Sequence, residues 1–386
     1  MMNIQDLEKQ FKREFDQVDT KTFFSPSRIN IIGEHIDYNG GSVFPCAIEI
    51  GTYAIAAKRD DNIISLISTN FSHRDSFEIQ SDLIYCEDKQ WVNYPMGMVW
   101  SMMKRGFKVG GLNILISGNI PNGAGLSSSA SLELLIGEII NVLYNDGNID
   151  KMDLVLAGKE MENDFIGVHS GVMDQFVIGM GKKDNAILLD TETLSYGYVP
   201  LKLDGYRFVI MNTRKRRELK DSKYNERRQE CERAKELLSS LRPLNHLCEL
   251  DEDEFDSLSY VLTGTLLRRA RHVVTENTRV KAVINAIENK DMPELGRLLN
   301  ASHHSLKEDF EVTGIELDTL VSLAQIQQGC LGARMTGAGF GGCAIALVKN
   351  EEVEDFISSV SKAYAEKIGY EGEFFVSGID DGVREL

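Results

Sequence analysis

Six cysteines, at positions 46, 86, 231, 248, 330 and 343, form no CxxC pair and no zinc-ligand spacing. No zinc site is suggested, and reduced, mostly buried thiols are expected. No apolar run approaches the length of a membrane span. The first residues, MMNIQDLEKQFKREFDQ, alternate charge with apolar side chains at helical spacing and lack the apolar core of a signal peptide. A soluble, cytoplasmic chain is expected. Positive charge is scarce, with 42 Lys plus Arg against 59 Asp plus Glu and a formal net charge of −17. Such a surface repels nucleic-acid backbone and anionic membrane. An anionic ligand must then be held locally, by backbone amides, a metal ion or a few placed cations. The lysine-bearing phosphate loop GxxxxGK[ST] is missing as well, as are internal repeats, low-complexity tracts and a Pro/Ser-rich linker.

The chain has 386 residues, 42% hydrophobic and 26% charged, which is longer than one core usually grows and ordinary in composition. Two lobes in close contact are expected, 1–200 and 201–386. In the first, a strand around 28–32 enters a polar loop with an Asn39-Gly40-Gly41 turn, followed by β-rich segments. GLNILISGNI reads as a strand with Leu112, Ile114 and Ile116 on one face. Leu132, Leu135, Ile136, Ile139 and Leu143 then recur at helical spacing, and a second helix is expected over roughly 153–166. YRFVIMNT opens the second lobe, with charged helices from about 221 to 305, the stretch GARMTGAGFGGCAIALVKN and a final strand GEFFVSGI.

Four stretches bear on chemistry. In PNGAGLSSSASLE, residues 121–133, strand, glycine-serine loop and buried helix follow one another, so successive amides can point into one concavity at a helix start. A serine hydroxyl there can ligate Mg²⁺; ordinary helix capping is the bland alternative. GAGFGG, residues 337–342, satisfies GxGxxG, but CAIALV after it is a strand where a dinucleotide fold needs a helix, so that reading is rejected. An approach to the site or a tight turn remain open. GEHIDYNGG gathers Glu34, His35, Asp37, Tyr38 and Asn39, a set of donors and acceptors suited to a polyhydroxyl ligand; a metal site or a solvated loop are the alternatives. GVMDQF sets Asp174 among apolar neighbours, a candidate base unless it caps a helix or lies exposed. Glu162 falls in helical line with Val155 and Ile166, and a half-buried glutamate needs a partner, a metal ion being one. The basic cluster TRKRREL with Lys220 and Lys223 reads as a solvated helix face.

SRINIIGEHIDYNGG, PNGAGLSSSASLE and ARMTGAGFGGCAIAL, in that order, resemble the three signature motifs of the galactokinases within the GHMP small-molecule kinase superfamily. WVNYPMGMV, GVMDQF, DSKYNERRQEC, RRARHVVTENTRV and ASHHSLKEDFEV are similar to galactokinase segments in the same order, so the resemblance spans nearly the whole chain. It implies an α+β fold of two lobes with the active site in the cleft between them, and transfer of the γ-phosphoryl group of MgATP to the C1 hydroxyl of galactose. It implies Asp174 as base and Arg28 beside it to balance charge. It assigns Glu34, His35, Ile36, Asp37, Gly171, Asp174 and Tyr224 to the sugar, and Gly123, Ala124, Gly125, Leu126, Ser127, Ser128 and Ser129 to the triphosphate. Trp91 matches a tryptophan near the adenine, and Ser129 and Glu162 match the Mg²⁺ ligands. D-galactose and ATP are the implied partners, with no nucleic acid, membrane or protein partner. Three positions depart from the family pattern: Ser27 for glycine, Ile36 for threonine and Ser170 for cysteine. None replaces a residue of the chemistry, and all bear on pocket shape. The motifs leave open a related sugar, N-acetylgalactosamine or L-arabinose. They also leave a non-catalytic galactose and ATP sensor, which the intact GLSSSAS loop disfavours because such sensors are altered there.

Overall fold

The computed structural model describes residues 3–71, 74–121, 124–168, 170–215 and 220–386. Along the first half run α1 (Ile4–Phe15), β1 (Lys21–Asn30), β2 (Ser42–Val43), β3 (Pro45–Lys58), β4 (Ile63–Ser68), β5 (Arg74–Glu78), α2 (Asn93–Lys104), β6 (Leu112–Gly118), α3 (Ser128–Tyr144), α4 (Lys151–Glu160), α5 (Met173–Met180), β7 (Asn185–Asp190) and β8 (Tyr196–Pro200). The second half carries β9 (Tyr206–Asn212), α6 (Lys220–Ser239), α7 (Glu252–Leu258), α8 (Gly264–Glu288), α9 (Met292–Glu308), α10 (Gly314–Gln325), β10 (Cys330–Thr336), β11 (Cys343–Lys349), α11 (Val353–Ile368), β12 (Glu373–Val376) and β13 (Arg384–Glu385).

A six-stranded sheet has the order β13-β1-β3-β6-β4-β5, with only the β4–β6 pair parallel. The period-two geometry of a strand sends alternate side chains to opposite faces. Along β6, Leu112, Ile114 and Ile116 enter the main core, as their spacing predicts, while Leu115 joins Leu7, Phe11, Ile55 and Ala57 in a second cluster beneath α1. Helix α1 thus covers the sheet face that would otherwise be wet. Its own start is fixed by Asn3, whose side chain accepts from Gln5 N.

The second half holds a four-stranded sheet, β10-β11-β9-β12, and β2, β7 and β8 make a third, small one. Strand β13 returns to pair with β1, Phe23 opposite Glu385 and Phe24 opposite Arg384, a crossing that no sequence signal announced. The main cluster of buried apolar residues runs without a break from Phe23 to Val383, so the two halves share one core.

Two expected boundaries shift. The first strand spans 21–30 and reaches 28 through a register change at Pro26/Ser27, because proline cannot donate to the ladder. The second helix ends as an α-helix at Glu160 and continues as one π-turn over Met161–Ile166, a feature that often marks functional positions.

Candidate active site

Strand β1 delivers Arg28 to the mouth of the glycine-serine loop. Its Nε donates to Asp174 Oδ1 at 2.7 Å and one Nη to Oδ2 at 2.9 Å, while the other Nη donates to Gly125 O at 3.0 Å. Burial works against the Arg28 charge, and Asp174 beside it more than compensates, so the guanidinium stays above its ordinary pKa. Ser127 sits in the left-handed region, φ 55° and ψ 46°, just before α3. This turn brings its hydroxyl onto Asp174 Oδ2. Asp174, at the start of α5, thus faces three donors from two other elements. Ser27 donates to Leu126 O at 2.5 Å, so this departure from glycine ties the strand to the loop.

The loop after β1 forms the adjoining wall of the same cavity, about 250 Å³ in volume. Glu34 accepts from Gly337 N at 2.8 Å and lies 3.3 Å from a guanidinium nitrogen of Arg334. Burial raises its pKa, and Arg334 works against that rise. His35 holds a positive φ of 63°. Its Nε2 is 3.2 Å from Ala338 O and its Nδ1 is 2.9 Å from Tyr38 OH. Burial, then His272, lower its pKa to about 3. The ring is therefore neutral at pH 7, with Nε2–H donating to the carbonyl and Nδ1 accepting from the phenol. Asp37 is pushed up to about 7 by burial and then by Asp174 and Glu34. Gly171 lies against it: a Cβ built on Gly171 would fall 1.7 Å from Asp37 Oδ2. The Tyr224 ring completes this wall, 5.5 Å from the rings of both His35 and Tyr38.

The remaining expected residues divide. Gly125, Ser127, Ser128 and Ser129 line the cavity, whereas Ala124, Leu126 and Ile36 are buried and do not. Gly123 lies outside the described residues. Ser131 turns away from the site, donating to Ser25 O and meeting Thr52 Oγ1, both at 2.9 Å. A second cavity of about 170 Å³ shares Ser128 and Ser129 with the first and is walled by Phe71, Trp91 and Tyr94. Phe71 and Trp91 stack with centroids 6.1 Å apart. The serine loop therefore stands between a polar cavity and an aromatic one.

Glu162, in the π-turn, is buried and burial raises its pKa. Ser129 reaches its Oε1 across 3.4 Å, and Ser170 donates to its Oε2. Nearby, Glu133 Oε1 and Gln175 Oε1 are buried with no hydrogen-bond partner among the described residues, and Gln175 Nε2 donates to Glu133 Oε2 at 3.1 Å. Burial holds the Glu133 carboxyl well above the usual carboxylate range, so Glu162 and the Ser129 hydroxyl are the oxygens that fit a hard divalent cation, which takes one or two carboxylates plus phosphate and water oxygens. Among the described residues no group of three His, Cys, Asp or Glu could hold an ion, so the remaining ligands would come from a phosphate or water.

The glycines of 337–342 serve both options left open for them. They form the turn between β10 and β11 and also line the cavity through Gly337, Ala338 and Phe340. Gly337 has φ +84°, and a Cβ there would lie 2.9 Å from Gly125 O, so the two glycine loops meet backbone to backbone. In the basic cluster, Arg216 and Arg217 lie outside the described residues, while Lys223 is exposed, its ammonium 5.7 Å from the Phe340 ring.

Two partners of the site escaped the sequence reading. Arg334 is fully buried and also donates to Asn30 O and Ile31 O at 2.9 Å each. Glu276 of α8, likewise buried, accepts from Gly33 N at 3.0 Å, Ser302 Oγ at 2.7 Å and Arg279 Nε at 2.7 Å. An arginine amid small apolar strand residues was the signal for the first; the second had none. Cys46, Cys86, Cys231, Cys248 and Cys330 are free thiols. Among the described residues no helix is long and apolar enough to cross a membrane.

Comparison with known proteins places this geometry. The galactokinase galactose-binding signature matches residues 9–58, the N-terminal domain of the GHMP kinases 93–182 and their C-terminal domain 283–366. The chain is 51% identical to the galactokinase of Clostridium tetani, covering 100% of this chain and 98% of that one. It is 53% identical to the galactokinase of Enterococcus faecalis, over 98% and 99%. Among solved structures, the Lactococcus lactis galactokinase complexed with galactose superposes with a TM-score of 0.95 at 45% identity, over 99% and 100% of the two chains. The mevalonate kinase of Methanococcus jannaschii, 17% identical with a TM-score of 0.69 over 95% and 100%, shares the fold.

Proposed function

The chain belongs to the galactokinase family of the GHMP kinases, and from that premise we propose that it transfers the γ-phosphoryl group of ATP to the C1 hydroxyl of α-D-galactose, releasing galactose 1-phosphate and ADP. The observation that carries the reading is the Arg28–Asp174 pair, set where the sugar-side wall meets the serine loop.

Glu34, His35, Asp37, Tyr224 and the backbone at Gly171 hold the sugar, since carboxylates accept its hydroxyls and the small glycine leaves Asp37 room. Asp174, turned by Arg28 and Ser127, takes the proton of the attacking hydroxyl, a contribution of about 10² to 10⁴ in rate. Arg28 offsets the charge that spreads over the transferred group. The amides of residues 124–129 receive the triphosphate at the start of α3, where helix dipole and free N–H groups favour an anion. The aromatic cavity with Trp91 takes the adenine.

Kinases of this family are ATP-dependent and so use a divalent metal; here we assign Mg²⁺ to Ser129 and Glu162, which would hold it, and its charge would offset that of the phosphates. The division near residue 200 separates the sugar motif and ATP loop from the second sheet. The free, buried thiols of Cys46 and Cys231 and the need for MgATP suit the cytoplasm. Phosphorus NMR of the product tests the reading: a phosphate coupled to the anomeric proton of an α-sugar is expected, and phosphate on any other carbon overturns it.

A further inference from the structure

Ser170 stands between the two halves of the site. Its hydroxyl donates to Glu162 Oε2, whereas Ser129 faces Oε1 across 3.4 Å. The segment that carries both residues folds back on itself. Glu162 O accepts from Gly167 N and, at 2.9 Å, from Val168 N, and Ser170 N donates to Val168 O at 2.9 Å. Gly167, at φ 84°, makes the reversal. One residue beyond Ser170 comes Gly171, in contact range of Asp37, and Asp174 opens the helix that follows.

A glutamate has three rotatable side-chain bonds, and leaving its head free costs order when it must face a cation. Anchoring one carboxylate oxygen selects the direction of the other. Partners of this kind behind a metal ligand are commonly worth 10- to 100-fold in metal affinity.

We propose that Ser170 is a positioning residue for the cation that accompanies the triphosphate: by holding Glu162 Oε2 it turns Oε1 toward Ser129 and the phosphate loop. The hydroxyl therefore governs how much better the protein binds MgATP than metal-free ATP. This rests on the assignment of Glu162 as a cation ligand.

Calorimetric titration of the full chain, without sugar, separates the two statements. Wild type, Ser170→Ala, Ser170→Cys and Glu162→Gln are each titrated with MgATP, with ATP in EDTA, and with galactose. The wild type should bind MgATP more tightly than ATP. Ser170→Ala should shrink that ratio by about tenfold, with metal-free ATP and galactose within about twofold of wild type. Ser170→Cys, whose thiol is a weak donor, should retain part of the ratio and guards against a poorly folded alanine variant. An unchanged ratio in Ser170→Ala, or equal losses for all three ligands, overturns the proposal. If Glu162→Gln keeps the wild-type ratio, the assignment of Glu162 itself falls; if it loses the ratio while Ser170→Ala keeps it, only the role of Ser170 does.

Discussion

Arg28 and Asp174 lie 146 residues apart in sequence and meet as a two-pronged ion pair, Nε to Oδ1 at 2.7 Å and Nη2 to Oδ2 at 2.9 Å. The arginine is almost wholly buried, whereas the aspartate side chain keeps 32% of its exposure, toward the cavity. One partner is thus anchored and the other accessible to a ligand. Asp174→Asn removes the proton acceptor and keeps the shape, so turnover should fall by about 10² or more with galactose and MgATP affinity retained. Near-normal turnover would rule out Asp174 as the base. Arg28→Lys replaces a planar fork by a point charge and should also lower turnover by about 10², through misplacement of Asp174.

Gly171 sets the space around Asp37. A methyl there would fall 1.7 Å from the carboxylate oxygen, so Gly171→Ala must displace Asp37. Galactose affinity should drop by at least about tenfold, equivalent to about 1.4 kcal/mol, with the affinity for metal-free ATP unchanged. Calorimetry on both ligands checks this; equal affinity for galactose in the variant contradicts the placement of the sugar.

Arg334 lies 3.3 Å from Glu34 and both side chains are buried. Arg334→Met leaves that carboxylate buried without its cation and should destabilise the fold by about 3 to 5 kcal/mol in urea unfolding. The double variant Arg334→Met, Glu34→Gln should recover part of the loss, because the unpaired charge is gone. No recovery would mean that the hydrogen bonds of Arg334 to Asn30 O and Ile31 O dominate.

Asp37 carries a pH signature of opposite sign to that of most carboxylates. Its pKa stands at about 7 against an ordinary 3.8. Between those values the unfolded chain has lost the proton and the folded one keeps it, so raising the pH favours unfolding. Asp37→Asn lacks this penalty. Its Tm should exceed that of the wild type at pH 8, with the difference vanishing by about pH 4; a difference that is constant with pH removes the argument.

The motifs were legible because their chemistry is local. Strand, serine loop and helix around 112–144 could be read from the alternation of Leu112, Ile114 and Ile116 and the helical recurrence of Leu132 to Leu143. The strand after GAGFGG was legible in CAIALV and correctly excluded a dinucleotide site. What the sequence hid depends on contacts between distant segments. The pairing of β13 with β1 rests on a two-residue strand with no hydrophobic period. Arg334 looked like a misplaced charge in a buried strand, and only the fold reveals Glu34 beside it. Glu276 sits on a long helix that also carries exposed charges at Arg271, Lys281 and Glu288, and its burial follows from how α8 packs on residues 33–34. The π-turn at Met161–Ile166 has the same pattern as an ordinary helix end, so the reversal that brings Ser170 to Glu162 could not be read.

The most direct test of the account is ADP release by the purified chain with MgATP and, in parallel, galactose, N-acetylgalactosamine, L-arabinose, glucose or no sugar, for wild type and Asp174→Asn. A strong response to galactose in the wild type, lowered by about 10² or more in the variant, is the predicted result. Silence with every sugar, while galactose still binds by calorimetry, would contradict it and leave a sugar-binding protein without kinase activity.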